Sequence, residues 1–374
     1  MKIISNIAFA IVVVTSMCAT SIAQRQTKLY IDDGTGHFSV LEASSGGGTV
    51  VMPSGSGTLS FSTGVSGLPS GTVITFFDNG THSGFTYTGF SQPLGTNSWT
   101  TGAVLPAGQS ATTSATVNGK IYVIGGIDDN QNDNQIYDPI ADVWSTGALL
   151  PIPQYFTTSA TVNGKIYVIG GANGNSNDNQ IYDPVADSWS TGAPLPIGQY
   201  GMTSGVVNGK IYVIGGANGN SNYTQIYDPI ADSWSSGTLL PVAQNYFTSS
   251  VINSKIYVIG GFNGSENDNQ IYDPLANTWT TGAALPIPQY GMTSSALNGK
   301  LYVFAGYNGS HNNNQIYDPV ANTWSTGTTV PVTEVYLTSA VVGENIYVIG
   351  GSFLGAYENQ IYAPTLNLYF FTAN

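Results

Sequence analysis

Along most of the chain, short apolar runs alternate with polar turns in one recurring order. In 157–189, Thr158-Ser159-Ala160-Thr161-Val162 predicts a first strand, and Asn163-Gly164 a two-residue hairpin turn. Lys165 to Gly171 (KIYVIGG) is β-branched and aromatic and predicts a second strand. An Asn/Gly/Asp-rich turn then leads to a third strand at Gln180-Ile181-Tyr182, stopped by Asp183-Pro184. Ser188-Trp189-Ser190-Thr191 predicts a fourth. No helical periodicity runs through the unit, so it reads as a four-stranded antiparallel meander.

The meander repeats every 45 residues. Its tryptophans fall at Trp99, Trp144, Trp189, Trp234, Trp279 and Trp324, and one more step lands on Tyr369. A period of this length fits one supersecondary unit per repeat. Such a unit cannot bury its apolar face alone, so neighbours must stack. Four-stranded sheets repeated in this way close radially into a propeller, which leaves few open edges.

Each second strand ends in a glycine pair: Gly125-Gly126, Gly170-Gly171, Gly215-Gly216, Gly260-Gly261 and Gly350-Gly351, with Ala305-Gly306 as the one departure. A tyrosine follows in each unit, at Tyr137, Tyr182, Tyr227, Tyr272, Tyr317 and Tyr362, and then the tryptophan. Six copies of this pattern in register resemble the kelch family over Trp99 to Tyr369. The resemblance implies a kelch-type β-propeller, with the aromatics filling the space between blades.

Seven fourth strands stand against six full sets of the first three, and two closures follow. A six-bladed ring would complete its last blade with the strand at Trp99 and leave 367–371 surplus. A seven-bladed ring would add a degenerate first blade from Gly57 to Ser62, Gly71 to Phe77 and Phe85 to Phe90, with a turn at Asn79-Gly80. We expect the second: an all-β fold of seven blades over 57–374, with regular repeats over 99–369. Residues 24–56 are Gly/Ser-rich, with β segments at Lys28 to Ile31 and Thr49 to Met52, and read as a linker or short β stalk.

Residues 1–23 read as a signal peptide. Lys2 supplies the positive start, Ile7 to Val14 the apolar core, and Ser21-Ile22-Ala23 the small residues before cleavage. The apolar run is too short to span a membrane, so no transmembrane segment is expected in the mature chain. Met17 stands where a small residue would precede a lipidated cysteine, which argues against a lipoprotein. Cleavage removes Cys18, the only cysteine, and with it thiol chemistry. A secreted, periplasmic or cell-surface protein is expected. The net charge of −13, from 21 acids and 8 bases, argues against nucleic acid, because nothing here could neutralise a run of phosphates.

In a meander, the fourth-to-first and second-to-third connections share a face. One set of loops carries Gln109, Gln154, Gln199, Gln244 and Gln289, with Glu334 at the sixth position. Tyr155, Phe156, Tyr200, Tyr246, Phe247, Tyr290 and Tyr336 follow closely. The other set carries Asn173, Asn218, Asn263 and Asn308, with Phe262, Tyr307 and Phe353 nearby. Together, Gln154, Gln199, Gln244, Gln289, Tyr155, Tyr200, Tyr246, Tyr290, Tyr336 and the four asparagines form a candidate ligand face. Amides hydrogen-bond hydroxyls and aromatic rings stack on sugars, so the expected partner is an extracellular glycan or protein. The competing reading is that these residues form turns and packing.

Catalysis has thinner support. The histidines are His37, His82 and His311 only, which assemble no nitrogen and sulfur metal cluster. The acid-rich loops over 127–134 and 262–269 lack the ordered spacing of a calcium site. No cofactor is expected. Kelch-like galactose oxidases need a cysteine beside copper, and kelch-like sialic acid mutarotases use glutamate and arginine. The only arginine here is Arg25, outside the repeats. Glu334, which breaks the glutamine series, is the sole candidate acid or base, for a mutarotase-like or lyase-like activity. A third reading is a structural part of a surface assembly. Near-identical units suit repeated contact better than one reaction, because acid, base and electrophile differ in role.

Overall fold

The computed structural model describes residues 97–127, 131–173, 177–218, 222–262, 266–307, 311–352 and 357–364, and elsewhere the backbone of short strands. The chain divides into two units, Ser98–Ala363 and the remainder, Met1–Asn97 with Pro364–Asn374.

Ser98–Ala363 forms six four-stranded antiparallel sheets, each a blade. Thr158–Val162, Lys165–Ile169, Asn179–Asp183 and Ser188–Thr191 make the second blade, in the meander order expected. Its inner hairpin turns at Asn163 and Gly164, with φ of 52° and 75°, the left-handed pair a two-residue hairpin needs.

The expectation of seven blades is corrected here. The ring has six, and Ser98–Thr101 closes the last one by pairing with Asn359–Ala363. The register settles the matter. Trp99 lies opposite Tyr362 just as Trp189 lies opposite Tyr182, and both ring pairs sit at 4.9 Å. The third strand of the last blade would otherwise expose a full edge, and the strand at Trp99 satisfies it.

The propeller is therefore Ser98–Ala363, not 57–374. The upstream strands exist: Thr58–Ser60, Val73–His82 and Phe85–Phe90 pair in sequence order. Phe370–Ala373 adds as the fourth. This meander is a sheet of the other unit. Its middle strand runs through Asn79-Gly80 with a register shift between Asp78 and Thr81, where a turn was expected. Tyr369 and Thr49 to Met52 lie outside the described residues. Lys28–Asp32 pairs with Phe38–Glu42 in the stretch read as a stalk, and with Ala10–Val13 inside the expected leader. Among the described residues, no helix is long and apolar enough to cross a membrane.

The second strand of each blade is apolar without alternation because both its faces are covered. Ile166 and Val168 pack on Ala115, Val117, Tyr122 and Ile124 of the blade before. Tyr167 and Ile169 pack on Ile211 and Val213 of the blade after. Each buried aliphatic contributes roughly 1.5–3 kcal/mol, so most of the cohesion lies between blades. The tryptophans are half-buried rather than core residues. They cap each inter-blade core from outside, and Trp189 Nε1 donates to Ala148 O of the preceding blade at 2.8 Å.

The innermost strands are stitched together by side chains. Thr113 donates to Ser159, and the pairs Thr158–Ser204, Thr203–Ser249, Thr248–Ser294, Thr293–Ser339 and Thr338–Ser114 complete the circuit at 2.5–2.7 Å. This closed belt of hydroxyls binds every blade to the next around the axis.

Candidate functional site

The two loop sets do share a face, which we call the Gln face, but its glutamines point inward. Gln109, Gln154, Gln199, Gln244 and Gln289 have no exposed surface, and neither has Glu334. Their amides hold the blades' own loops. Nε2 of Gln109, Gln154 and Gln244 donates to Asp133, Asp178 and Asp268 at 3.1, 2.9 and 2.7 Å. Gln199 Nε2 donates to Asn218 O at 3.0 Å, and Gln289 Oε1 accepts from Gln315 at 2.9 Å. Gln154, Gln199, Gln244 and Gln289, expected as ligand contacts, are thus buried and act as loop anchors in this structure.

Two of the asparagines do similar work. The backbone N–H groups of Asn173 and Asn218 donate to Gln154 and Gln199 Oε1, both at 3.0 Å. The Asn173 side chain also donates to Gln131 Oε1 at 2.7 Å. Asn263 and Asn308 lie outside the described residues.

Two residues beyond each glutamine position stands a residue with φ of 52–64°: Ala111, Phe156, Gly201, Tyr246, Gly291 and Tyr336. Each N–H donates to the carbonyl of its counterpart in the preceding blade, and Ala111 donates to Tyr336, at 2.7–2.9 Å throughout. Six backbone hydrogen bonds thus form a closed circle around the axis. It holds three aromatic residues in a left-handed conformation that bulky side chains rarely adopt.

Side chains on this circle alternate large and small. Phe156, Tyr246 and Tyr336 meet edge to face, with centroids 4.9, 5.1 and 5.8 Å apart. Ala111, Gly201 and Gly291 leave room for them. A Cβ on Gly201 would lie 3.0 Å from the Tyr246 ring, and one on Gly291 would lie 2.9 Å from Tyr336. Tyr246 and Tyr336 therefore belong, with Phe156, to a three-ring plug over the axis. Burial, then the neighbouring Tyr200, Tyr336 and Tyr155, push the Tyr246 phenol up to about 12. The cavity at this mouth, lined by Phe156, Tyr246, Tyr336 and the small residues between, holds about 90 Å³.

Glu334 is buried beneath the backbone of Gly351, where a Cβ would collide with its side chain. The sixth blade departs from the others nearby. In the first five, the third-strand glutamine grips both N–H and C=O of one loop residue, as Gln180 does with Ile152. In the sixth, Gln360 donates to Glu358 at 2.7 Å instead.

Among the described residues, Phe262 and Tyr307 are exposed aromatics on neighbouring blades, and Tyr357 on the sixth blade is exposed as well. Phe262 and Tyr307 are 42% and 45% exposed, and Tyr290 lies between them with centroids 5.0 Å from each. His311 meets Tyr307 at 5.2 Å. Backbone bridges Asn245–Phe262 and Tyr290–Tyr307 fix this ledge. The same loop position in the other blades is Ile127, Ala172, Ala217 and Ser352. Tyr155 and Tyr200 are half-buried near the plug, at 5.6 Å from Phe156 and 6.4 Å from Tyr246. Sequence reasoning named Phe262 and Tyr307 only as neighbours. Aromatic rings at a position that is Ile, Ala, Ala and Ser in the sister blades were the signal for the ledge.

Models of known families agree with this geometry. The KLHDC2/KLHL20/DRC7 Kelch-repeats domain matches residues 92–261, and the Kelch motif matches 245–286 and 290–331. This chain belongs to the kelch-repeat β-propeller family. No curated protein matches it by sequence. Among solved structures, one titled "Structure of YjhT" is similar at 19% identity with a TM-score of 0.61, covering 72% of this chain and 98% of that one. At that identity the likeness speaks for the fold alone. Within this kelch ring, every site argument must come from its own residues. They give an axial mouth narrowed by three rings, an anchored loop layer and an aromatic ledge.

Proposed function

We propose that this chain is a secreted or cell-surface binding module that engages an extracellular protein or glycan on the Gln face of its propeller. Kelch propellers commonly serve as protein-binding modules. The observation that carries the reading is the ledge: Phe262 and Tyr307 hold nearly half their surface in solvent on a fixed backbone. Exposed contiguous aromatics on a rigid frame are the usual anchors of a recognition surface. The leader expected over 1–23 supports an extracellular site of action.

A catalytic reading finds less to stand on. The axial cavity of about 90 Å³ is well below the roughly 300 Å³ at which small-molecule pockets begin. Glu334 has no exposed surface for a substrate to reach.

The test is binding to arrays of glycans and of purified extracellular proteins, using protein produced from the full sequence beside a Phe262→Ala/Tyr307→Ala variant. Both substitutions are at exposed positions, so the fold should survive. A ligand held by the wild type and lost in the variant is the expected result. Ligands held equally by both would remove the ledge from the binding site.

A further inference from the structure

The lysines of the ring all lie on one face. All five basic residues of Ser98–Ala363 are Lys120, Lys165, Lys210, Lys255 and Lys300. They stand at the turns between first and second strands, on the face opposite the ledge. Each is paired there with an aspartate at the end of the third strand: Asp138, Asp183, Asp228, Asp273 and Asp318, at 3.2–3.8 Å. The Gln face has no lysine or arginine among its residues. It carries Asp133, Asp178, Glu266, Asp268, Glu334 and Glu358. A face whose acids are not interleaved with lysine or arginine favours partners of the other sign and raises their rate of encounter.

The ledge lies within this field. The Gln289 N–H donates to Glu266 O at 2.8 Å, which brings the Glu266 loop beside Tyr290. The Tyr290 phenol is raised by burial first, then by Tyr336, Tyr307 and Glu266, which agrees with a carboxylate close by. Aromatic faces next to a carboxylate attract a cation twice, through the ring quadrupole and through charge. An arginine can also lie flat on a ring, which an ammonium cannot do as well.

We propose that the Phe262–Tyr290–Tyr307 ledge, with Glu266 at its side, receives an arginine-bearing basic segment of a partner protein. This rests on the reading of the Gln face as a binding surface and narrows its partner to one chemistry. The ledge supplies stacking area, Glu266 supplies orientation, and the lysine-free face supplies long-range attraction. The far face also has an excess of acids, with Asp142, Asp187, Asp232 and Glu344 beyond its five pairs, but its lysines repel an incoming cation and weaken that attraction.

Fluorescence anisotropy with labelled (Gly-Ser-Arg)4, (Gly-Ser-Gln)4 and (Gly-Ser-Glu)4 probes tests this on protein produced from the full sequence. The arginine probe should bind, and the other two should bind at least about tenfold more weakly. Phe262→Leu/Tyr307→Leu keeps the ledge apolar but removes its rings, and should weaken the arginine probe about tenfold. Glu266→Gln should weaken it severalfold and flatten its salt dependence. Asp228→Asn, which removes a far-face acid, should change nothing. Equal binding of the three probes would overturn the proposal. So would equal losses in Glu266→Gln and Asp228→Asn, because the attraction would then be general charge. If the arginine probe fails while an array ligand is still lost in the alanine variant, the binding face stands and the basic partner falls.

Discussion

The two faces of the ring were built from the same repeat, yet one is much more uniform than the other. On the far face, Lys165–Asp183 and its four counterparts recur with nearly the same geometry. The adjoining turns are alike as well. The side chains of Asp138, Asp183, Asp228, Asp273 and Asp318 accept the same two backbone N–H groups in all five blades. On the Gln face, the buried anchors repeat while the exposed residues do not. The circle reads Ala, Phe, Gly, Tyr, Gly, Tyr, and two neighbouring blades alone carry Phe262 and Tyr307. Uniformity marks what every blade needs in order to fold. Departure from it marks what the ring does as a whole, and both the plug and the ledge are departures.

The sharpest way to break this comparison is to make the Gln face uniform. Gly291→Tyr puts a sixth-blade residue into the fifth blade. Its Cβ would lie 2.9 Å from the Tyr336 ring, in a backbone with φ of 64°. Overpacking costs about 1–3 kcal/mol and a left-handed non-glycine residue about 1–2 kcal/mol, so a loss of about 2–5 kcal/mol is expected in denaturant unfolding. Adding Tyr336→Gly should recover part of it by moving the ring from one blade to the other. A single variant as stable as the wild type would mean that the alternation is not steric.

On the far face the corresponding experiment restores uniformity. The fourth blade turns at Asn253-Ser254, where four others have Asn-Gly and the sixth has Gly343-Glu344, and Ser254 holds φ of 59°. Ser254→Gly should stabilise the protein by about 0.5–1 kcal/mol, since the strain of a left-handed serine outweighs the extra freedom of glycine when unfolded. A lower melting temperature in the variant would show that the turn is not strained.

How much of this was legible follows from the same contrast. Strands, turns and the meander order are local, and the pattern at 158–191 contains them. Closure is not local. Whether Trp99 opens a blade or completes one depends on its pairing with Tyr362, more than 250 residues away, and no pattern near Trp99 records that choice. The glutamines of the candidate site were ambiguous for a different reason. A glutamine beside aromatics reads equally as a ligand contact or as a loop anchor, and burial alone decides between them. Gln154 looks the same in sequence whether or not the Gly171 backbone covers it. The plug was written as a period of 90 residues inside the period of 45, and it becomes meaningful only once Phe156, Tyr246 and Tyr336 converge on the axis.

The mildest test uses a variation the far face already contains. In the second blade, Asp187 Oδ1 accepts from Tyr182 Oη and from Ala148 N of the first blade, both at 2.6 Å. In the fourth and fifth blades, Asn277 and Asn322 hold the same latch as amides, at 2.6–2.7 Å. The Tyr182 hydroxyl first, and then the Ala148 N–H, pull the Asp187 carboxyl below its ordinary range. A carboxyl lowered in the folded state adds stability that is complete above the unfolded value, near about 4, and disappears as pH falls through the folded value. Asp187→Asn keeps both acceptor contacts but cannot titrate. At pH 7 it should melt slightly below the wild type, because a charged acceptor makes the stronger bond. As pH falls below about 4 the two melting temperatures should converge. Parallel curves down to about pH 2.5 would mean that the charge of Asp187 contributes nothing to the latch, and that the aspartates and asparagines of this series are interchangeable at every pH.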